Sequence, residues 1–501
     1  MSDRAKYRGN LVIYAAFLSL YLFAPGVSAR PDSSGRAYSL EAQISAVVSS
    51  DRAIPFWLRA NRFRMVPDRS PAALATFRFV KEYREPGISK GRKFDWGLSV
   101  RPVLYRSAEV QGKLLLPEAQ VKVRYGNVEL YAGRRMDVTG LGDTLLTSGF
   151  YAVSGNALPI PKVRLATTGF VPVKWFRNYL AVSAGLAHGW YNVDYLQGAR
   201  LHQKYLYLRF GRASAGVRFY AGLNHQVQWA GHAGYLRERP DIAIDGAFPS
   251  SWKLFPYVFF AYTPRNWYEK QGFTSFDSYR MGNHLGSQDF AVEGTVAGEK
   301  FMLYHQHIYE DVSGLVWKNF PDGLWGLSWS PGKSVNGAGI ELEKITLEHL
   351  TTMSQSGLSF YMPGVWYQGN DDYFNHGQYH KGWSYREKGI GTPFLTPGHE
   401  LKEKVSSASY FMNNRLSMWH LGLKAKCRGI SAMLMTSYSL NYGRAADSFT
   451  GGTRKQQLSG GLTVEAALER NWSLTFRLAA DRGNLLPQTA GGELGIRKKW
   501  F

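Results

Sequence analysis

Apolar and polar residues alternate along several short stretches of this chain. Residues 119–125 read AQVKVRY, with apolar or aromatic side chains at the odd positions and polar or charged ones at the even positions. Gly126-Asn127 follows as a two-residue turn that tolerates positive φ, and the alternation then resumes in VELYA at 128–132. A period of two residues is typical of a β-strand. Residues 119–133 are therefore predicted to form a β-hairpin.

The same period of two recurs at 206–210, 217–224 and 472–478. In a soluble sandwich the apolar set would face a core, whereas in a membrane barrel it would face lipid and the charged set would line the interior. Alternation alone does not choose between these two folds, so the choice depends on the ends of the chain and on its composition.

The first 29 residues have the layout of a secretory signal peptide. Basic residues at positions 4, 6 and 8 precede an apolar run from Leu11 to Ala24, and the small residues Val27-Ser28-Ala29 follow. A run of 14 residues is too short to cross a bilayer as a helix. We expect cleavage after Ala29, with a retained interfacial anchor helix as the alternative. Because Arg30 and not cysteine comes next, no lipoprotein anchor is expected.

The composition favours a barrel over soluble domains. Aromatic residues make up 15% of the chain, including 30 Tyr and 15 Trp, which suits girdles at the two membrane interfaces. No Pro/Ser-rich linker divides the chain, and the uncharged stretch after the signal peptide that is worth testing as a membrane helix, Thr144 to Pro161, contains Pro, Gly and Asn residues that argue against a spanning helix. The single cysteine, Cys427, allows no intrachain disulfide. Residues 30–501 are predicted to form one all-β, antiparallel transmembrane β-barrel in the cell outer membrane, with about 16–18 strands and a few short helical or loop elements.

The chain ends in Trp500-Phe501, and a terminal aromatic residue is the usual signal through which outer-membrane barrels contact their assembly machinery. Leu494 and Ile496 share their parity with Trp500, whereas Phe501 shares its parity with charged residues. A β-bulge near the end would restore the usual apolar spacing, because one extra residue reverses the face of everything after it. The barrel assembly machinery is therefore a predicted partner, contacted through Phe501.

Several ordered segments carry a family resemblance: PFWLRAN at 55–61, GRR at 133–135 with LGD at 141–143, SGNALPIPK at 154–162, KYLY at 204–207, HQVQWAG at 225–231, and NDDYFN at 370–375 leading to GWSY at 382–385. Taken in this order, over roughly residues 40–501, they resemble the capsule assembly Wzi family. The resemblance implies an outer-membrane barrel of about 18 strands. It also implies a lectin-like surface protein, and not an enzyme, that holds capsular polysaccharide, or in some members exopolysaccharide, to the cell.

The basic excess suits an acidic glycan. The formal net charge is +22, and loss of residues 1–29 would lower it to +20. Arginine pairs with carboxylates through two parallel hydrogen bonds, and flat aromatic rings stack on sugar faces. The candidate polysaccharide-binding residues are Arg59, Arg62, Arg134, Arg135, Asp371, Asp372, His380, Trp383, Tyr385 and Arg386. The set from Asp371 to Arg386 is preferred because its glycine-rich sequence indicates a long exposed loop, while the plainer alternative is that the arginines pair with nearby carboxylates and the aromatics belong to a girdle.

Other chemistries find little support in the sequence. His376 and His380 near Asp371 and Asp372 could suggest a metal site, but the segment is too rich in Gly and Asn for the helix that their spacing would need. No Gly-x-Ser-x-Gly elbow or phosphate-binding loop stands out, and positive charge spread along the strands of a secreted protein does not favour nucleic acid. No catalytic residue, cofactor or metal is predicted. A diffusion porin and a barrel hydrolase stay open as alternatives, and the expected partners also include acidic polysaccharide and outer-membrane lipid.

Overall fold

The computed structural model describes residues 38–84, 93–263, 265–270, 272–278, 280–332, 339–362, 365–367, 369–403, 409–449 and 452–500. The predicted signal peptide, with its cleavage site after Ala29, lies outside the described residues, and so does Phe501.

The described chain folds into a closed antiparallel β-barrel of 18 strands, which confirms the predicted fold class. The strands are β1 (Tyr38–Ser49), β2 (Ala72–Lys81), β3 (Phe94–Ser107), β4 (Lys113–Tyr125), β5 (Val128–Arg134), β6 (Lys162–Thr167), β7 (Leu180–Val193), β8 (Leu196–Phe210), β9 (Val217–Trp229), β10 (Asn283–Val296), β11 (Glu299–Tyr309), β12 (Gly323–Ser330), β13 (Ile340–Thr351), β14 (Leu416–Cys427), β15 (Ile430–Asn441), β16 (Lys455–Ala467), β17 (Trp472–Gly483) and β18 (Thr489–Lys499). The short strand Val171–Pro172 continues β6 along the same neighbour, β7. Pairing of β1 with β18 closes the barrel.

Helices and short hairpins lie in the connections. The α-helices are α1 (Phe56–Arg59), α2 (Phe255–Phe260) and α3 (Val312–Leu315), and the 3-10 turns are Lys174–Phe176, Gly234–Leu236, Trp252–Leu254, Trp267–Glu269, Phe276–Ser278, Gly398–Glu400 and Glu469–Asn471. The hairpins pair Phe360–Met362 with Val365–Tyr367, Ser384–Tyr385 with Lys388–Gly389, and Thr396–Pro397 with Phe411–Asn413. Among the described residues, none of the helices has the length and apolar character that a bilayer crossing would need.

The alternation along the strands separates an outer face from an inner face. Val121 of β4 is 53% exposed and Leu130 of β5 is 42% exposed, whereas the next residue, Tyr131, is 1% exposed. The two strands join at Gly126-Asn127 in unbroken register, which confirms the predicted hairpin. The apolar set faces outward, as lipid contact requires, and the polar set faces the lumen.

The longest connections lie at one end of the barrel, and most of the two-residue turns lie at the other. The chain enters β1 and leaves β18 at the end that carries the two-residue turns 126–127, 297–298 and 428–429. The other end carries loop A (50–71), loop B (135–161), loop C (230–282), loop D (310–322) and loop E (352–415). Outer-membrane barrels keep short turns on the periplasmic side and long loops outside. The loop-bearing end is therefore assigned to the cell exterior.

The last strand keeps a regular register. Pairing of β18 with β1 runs without a break from Gly491–Ser49 to Lys499–Glu41. Leu494 and Ile496 face outward with 56% and 44% exposure. The β-bulge that would restore the spacing of the terminal aromatic is thus absent from the described part of this strand.

Candidate functional site

Loops A, B and E fold inward and fill the external part of the lumen; together they are called the plug. Inward-facing carboxylates of the wall accept hydrogen bonds from loop backbone. Asp289 of β10 accepts from Leu141 N at 3.0 Å, and Glu348 of β13 accepts from Ser148 N at 2.6 Å. A buried backbone N–H without an acceptor is costly. The wall therefore supplies the acceptors that loop B needs inside the barrel.

Loop A enters the lumen at α1. Phe56 N donates to Asp481 Oδ2 of β17 at 2.8 Å, and Trp57 Nε1 donates to Ser437 Oγ of β15 at 3.3 Å. A Cβ on Gly461 of β16 would lie 2.6 Å from the Cβ of Trp57, so glycine at this position makes room for the indole. The PFWLRAN segment is thus the part of the plug that packs against wall strands β15, β16 and β17.

Arg59 belongs to a buried network of alternating charges. Its Nη1 lies 2.5 Å from Glu400 Oε2, and Lys388 Nζ lies 2.8 Å from Glu400 Oε1 and 2.6 Å from Asp68 Oδ1. Burial alone would lower the pKa of Arg59, but the charges of Glu400 and Asp68 outweigh it and raise the pKa. Arg59 of loop A and Lys388 of loop E are therefore both paired with carboxylates inside the plug. These ion pairs hold the two loops together.

Arg62 is also bound inside the barrel. Its Nη1 lies 2.6 Å from Glu493 Oε2 of β18, a side chain that is 1% exposed. Arg477 of β17 contacts the same carboxylate at 3.0 Å. One buried carboxylate therefore holds two guanidinium groups, which fits the plainer reading that lumen arginines pair with carboxylates.

Arg134 and Arg135 lie on the inner wall where β5 ends. Arg134 Nη1 donates to the Leu116 carbonyl at 3.3 Å, and Arg135 Nη1 lies 2.5 Å from Glu129 Oε1. Arg134 Nη2 also donates to Tyr385 Oη of loop E at 3.5 Å, so Arg134 contacts both the wall and the plug, whereas Arg135 pairs within the wall.

Loop E forms the core of the plug. Its most deeply buried aromatic side chains, each at most 1% exposed, are Tyr373, Phe374, Tyr379, Trp383, Tyr385 and Phe411. The expectation that Trp383 and Tyr385 lie on an exposed loop is wrong, since they are 0% and 1% exposed. The segment is a long loop as predicted, but it folds back into the lumen and packs against other loops. Its local sequence does not indicate these contacts with distant segments.

Asp371 and Asp372 attach loop E to its neighbours. Asp371 Oδ2 accepts from Ser356 Oγ at 2.6 Å and from Ser313 Oγ of loop D at 3.2 Å. Asp372 Oδ2 lies 2.6 Å from Arg444 Nη2, in the connection after β15. These two carboxylates are therefore engaged in holding the plug, and the Asp372 side chain stays 34% exposed.

A groove of about 230 Å³ opens at the external rim beside the plug. Four segments line it: Arg64 of loop A, Lys113 at the start of β4, residues 192–195 at the β7–β8 turn, and Lys381, Arg386 and Glu387 of loop E. The only carboxylates among the lining residues are those of Asp194 and Glu387. Arg64 Nη2 lies 3.4 Å from Glu387 Oε2. The lining thus carries an excess of positive charge.

Tyr195 is the aromatic residue among those that line the groove, and two further rings pack beside it. His380 stands edge-on to Tyr195, with ring centroids 4.6 Å apart, and to Tyr235 of loop C at 4.2 Å. Lys381 Nζ lies 5.2 Å from the Tyr195 ring centroid. Burial and the charge of Lys381 lower the pKa of His380, which keeps its ring neutral at pH 7. The His380 ring and the Lys381 ammonium group therefore both lie against Tyr195.

The turn that carries Arg386 and Glu387 is strained. The two residues join Ser384–Tyr385 to Lys388–Gly389, and their φ angles are +47° and +71°. A two-residue hairpin of this kind favours Asn-Gly, because other residues pay about 1–2 kcal/mol each in the left-handed region. Residues held in such conformations cluster at functional sites. Two charged side chains are thus presented at the groove at a conformational cost.

Of the predicted candidates, Arg386 lines the groove and His380 borders it, whereas Arg59, Arg62, Trp383 and Tyr385 lie inside the plug. Sequence reasoning missed every other lining residue, including the cations Arg64, Lys113 and Lys381 and the aromatic Tyr195. Each of these four lies in a different segment, and no motif in the sequence around it marks it as a site residue. The one available signal was an aromatic residue in the two-residue turn 194–195 between two long strands.

The groove offers cations, hydrogen-bond donors and an aromatic ring. Within the residues that the structure describes, no three His, Cys, Asp or Glu side chains gather into a group that could hold a metal ion. The arrangement suits an anionic, hydroxyl-rich ligand that pairs with guanidinium and ammonium groups.

Comparisons with known proteins bear on the fold. No protein-family model matches the sequence, and no characterised protein matches it at the sequence level. The structure is similar to that of Wzi, an outer membrane protein involved in group 1 capsule assembly in Escherichia coli and described as a carbohydrate-binding β-barrel. The identity is 12% and the TM-score 0.57, over 91% of this chain and 83% of that one.

Two further similarities are more distant. OccAB2 of Acinetobacter baumannii is 10% identical with a TM-score of 0.45, over 92% of this chain and 98% of that one. OpdO of Pseudomonas aeruginosa is 12% identical with a TM-score of 0.42, over 92% and 96%. The similarity to Wzi, whose TM-score exceeds 0.5, supports the outer-membrane β-barrel fold and, at 12% identity, nothing finer.

Proposed function

We propose that this protein binds an acidic capsular or extracellular polysaccharide in the rim groove and so attaches the polymer to the cell surface. The observation that carries the proposal is the groove itself, where Arg64, Lys113, Lys381 and Arg386 line the same cavity as Tyr195 at the loop-bearing end. Cations pair with sugar carboxylates and an aromatic ring packs on a sugar face. The resemblance of the sequence to the Wzi family supports the same role.

The plug favours attachment over diffusion. A porin needs a continuous water-filled lumen, whereas here wall carboxylates such as Asp289, Glu348 and Asp481 bind loop backbone that crosses the lumen. We propose binding without turnover. No Ser, Cys or His is among the residues that line the groove, so it offers no nucleophile paired with a histidine base.

The test is a triple substitution of groove cations. Lys113, Lys381 and Arg386 are replaced together by Gln, and binding of the purified full chain to the organism's own uronate-containing polysaccharide is measured by biolayer interferometry. Loss of three charged contacts is expected to weaken binding at low salt by at least about tenfold, since each charge-assisted hydrogen bond contributes about 1.5–3 kcal/mol. The remaining binding should depend less on salt, because fewer ion pairs are left to screen.

A matched control removes the same charge from the opposite end. Arg177, Arg428 and Arg470 lie in the short periplasmic connections, so their replacement by Gln should leave binding unchanged. Equal losses in both triple variants would mean that the polymer senses only net charge, and wild-type affinity in the groove variant would overturn the proposal.

The cellular expectation follows from the same role. A strain that lacks the protein should make the polymer but release it into the medium. Full retention of surface polymer in that strain, together with large single-channel currents from the purified protein in planar bilayers, would favour a porin instead.

A further inference from the structure

Polar side chains near the external ends of β8 and β9 face outward. His202 and Lys204 share the parity of Leu206, which is 46% exposed on the lipid-facing side, and His225 shares the parity of Leu223, which is 42% exposed. Yet His202 is 1% exposed and His225 is 5% exposed. Polar groups are expensive to place against hydrocarbon. Another part of the chain must therefore cover this patch of the outer wall.

Loop C provides the cover. The ring centroids of Phe255 and Phe259 lie 5.1 and 5.3 Å from that of His202. Lys204 Nζ lies 3.8 Å from the Phe259 ring centroid and donates to the Phe259 carbonyl. Helix α2 is thus folded down onto the outer face of the barrel wall.

The cover is well packed. Arg200 of β8 lies between two indoles, 4.8 Å from the Trp229 ring centroid and 4.5 Å from that of Trp252, and its Nη1 donates to the Ser250 carbonyl at 2.9 Å. A separate hydrophobic core forms outside the barrel from Val227, Trp229, Ala230, Val258, Phe273 and Met281, each at most 6% exposed. Loop C therefore forms a fixed layer on the outer wall.

The position of this layer along the strands can be judged from their length. About ten residues of a tilted strand cross the apolar part of the membrane. Counted from the outward-facing Phe210 at the periplasmic end of β8, ten residues end at Leu201, next to Arg200. The layer covers Arg200, His202 and Lys204, so it lies at the external edge of the apolar band.

The free surface of the layer is aromatic and basic. Trp252, Phe260, Tyr262 and Tyr268 are 55%, 69%, 47% and 69% exposed. The same stretch contains three basic residues, Lys253, Arg265 and Lys270, and one acidic residue, Glu269. Exposed aromatics beside basic residues are typical of segments that lie in a membrane interface.

We propose that residues 252–263 and 265–270 form an interfacial collar that binds the external leaflet of the outer membrane. The collar replaces the strand wall as the lipid-contacting surface at this point. Phe260 and its neighbouring aromatics enter the boundary between headgroups and acyl chains, and the basic side chains meet the anionic phosphates of the lipid headgroups.

The collar also bears on the groove. Loop C reaches the plug on its other side, where Tyr235 Oη donates to the Gln378 carbonyl at 2.7 Å and Gln378 Nε2 donates to the Ile242 carbonyl at 3.1 Å. Because Tyr235 also packs on His380, seating of the collar on lipid would steady one side of the groove.

Site-directed spin labelling tests the collar directly. Because Cys427 is the only cysteine, Cys427→Ser gives a clean background for one new cysteine at a time. Phe260→Cys probes the collar, Phe219→Cys on the outward face of β9 is the membrane control, and Asp241→Cys in an exposed part of loop C is the aqueous control. Each labelled full chain is reconstituted into vesicles of phosphatidylcholine and phosphatidylglycerol, and its folding is checked by heat-modifiable migration.

The readout is the collision rate of the nitroxide with oxygen, relative to that with a water-soluble nickel complex. The label at position 260 should give a ratio several-fold above that at position 241 and closer to that at 219. A ratio at 260 equal to that at 241 would overturn the proposal. Spin–spin broadening at 260 that vanishes on dilution with unlabelled protein would also overturn it, because a second copy of the chain would then cover the surface.

Discussion

Trp383 of loop E donates its indole N–H to the backbone carbonyl of Ala152 in loop B at 2.7 Å, and both residues are at most 1% exposed. The two loops leave the barrel wall from strands far apart in the chain and meet in the lumen. This single contact therefore reports whether the plug is assembled.

Replacement of Trp383 tests the plug without touching the wall. Trp383→Ala removes a fully buried ring and should destabilise the docked plug by about 3–5 kcal/mol. Trp383→Phe keeps most of the packing but leaves the Ala152 carbonyl without its hydrogen-bond donor. This loss should destabilise the docked plug by about 1–3 kcal/mol. Limited proteolysis of loop E should accelerate in the order wild type, Phe, Ala, while heat-modifiable migration shows an intact barrel. An alanine variant as resistant as the wild type would show that the plug does not depend on this residue.

Substitutions in the strained turn at Arg386 and Glu387 distinguish an effect on plug stability from an effect on polysaccharide binding. Changing the pair to Asn-Gly, the sequence that this turn geometry favours, should relieve about 1 kcal/mol or more per position. The plug should therefore be at least as resistant to proteolysis as in the wild type, while polysaccharide affinity falls because Arg386 is gone. Arg386→Gln alone, which keeps a side chain in the strained turn, should lose affinity without gaining resistance. Unchanged affinity in the Asn-Gly variant would place the polymer elsewhere.

The barrel could be predicted from sequence because its signal is local. In β4 and β5 each residue reports its own face through the alternation, and Gly126-Asn127 marks the turn between them. The strand count followed from the family resemblance and from chain length. The cover by α2 could not be predicted, since His202 and Lys204 break the rule that polar positions face the lumen and only the folded loop C explains them.

The candidate site was predicted only in part, because its residues meet through the plug. Arg386 lines the groove as expected of a loop residue, but Lys113 and Tyr195 come from strand ends that no sequence pattern connects with loop E. Trp383 has the sequence surroundings of an exposed loop and the structural surroundings of a core. Burial in this molecule is decided by contacts between distant segments, which periodicity does not record.

Glu400 predicts an acid limit to the joint between loops A and E. Burial alone would raise the pKa of Glu400, but the charges of Arg59 and Lys388 outweigh it and hold the pKa well below its ordinary value of 4.5. A carboxyl with a lowered folded pKa stabilises the joint above its ordinary pKa and loses that contribution as pH falls toward the folded value. Hydrogen exchange of residues 55–60, corrected for intrinsic rates, should therefore accelerate below pH 4.5.

The matching substitution is Glu400→Gln, which leaves two buried cations with Asp68 as their remaining partner and should cost about 3–5 kcal/mol. It should also flatten the acid dependence of exchange at 55–60. Glu403→Gln is the control, because Glu403 is 66% exposed where it pairs with Lys455 and an exposed pair contributes little. Equal effects of the two substitutions would contradict the role given to the buried network.

Asp371 predicts the opposite pH dependence for the joint between loops D and E. Burial, with the nearby charge of Asp311, raises the pKa of Asp371 from 3.8 to about 7. Between these values the docked loop holds one more proton than the detached loop, so its attachment weakens as pH rises toward 7 and then levels off.

Exchange of the backbone around residues 369–375, again corrected for intrinsic rates, should therefore be faster at pH 8 than at pH 5. The asparagine side chain of Asp371→Asn keeps an oxygen that can accept from Ser356 and Ser313, but it cannot ionise. Hydrogen exchange at 369–375 in this variant should therefore lose most of its pH dependence while the barrel stays folded. The carboxyl of Asp322 also faces Asp371, and Asp322→Asn separates the two contributions. If the Asp371→Asn variant keeps the full pH dependence and Asp322→Asn removes it, the titrating group is Asp322 and the assignment to Asp371 is wrong.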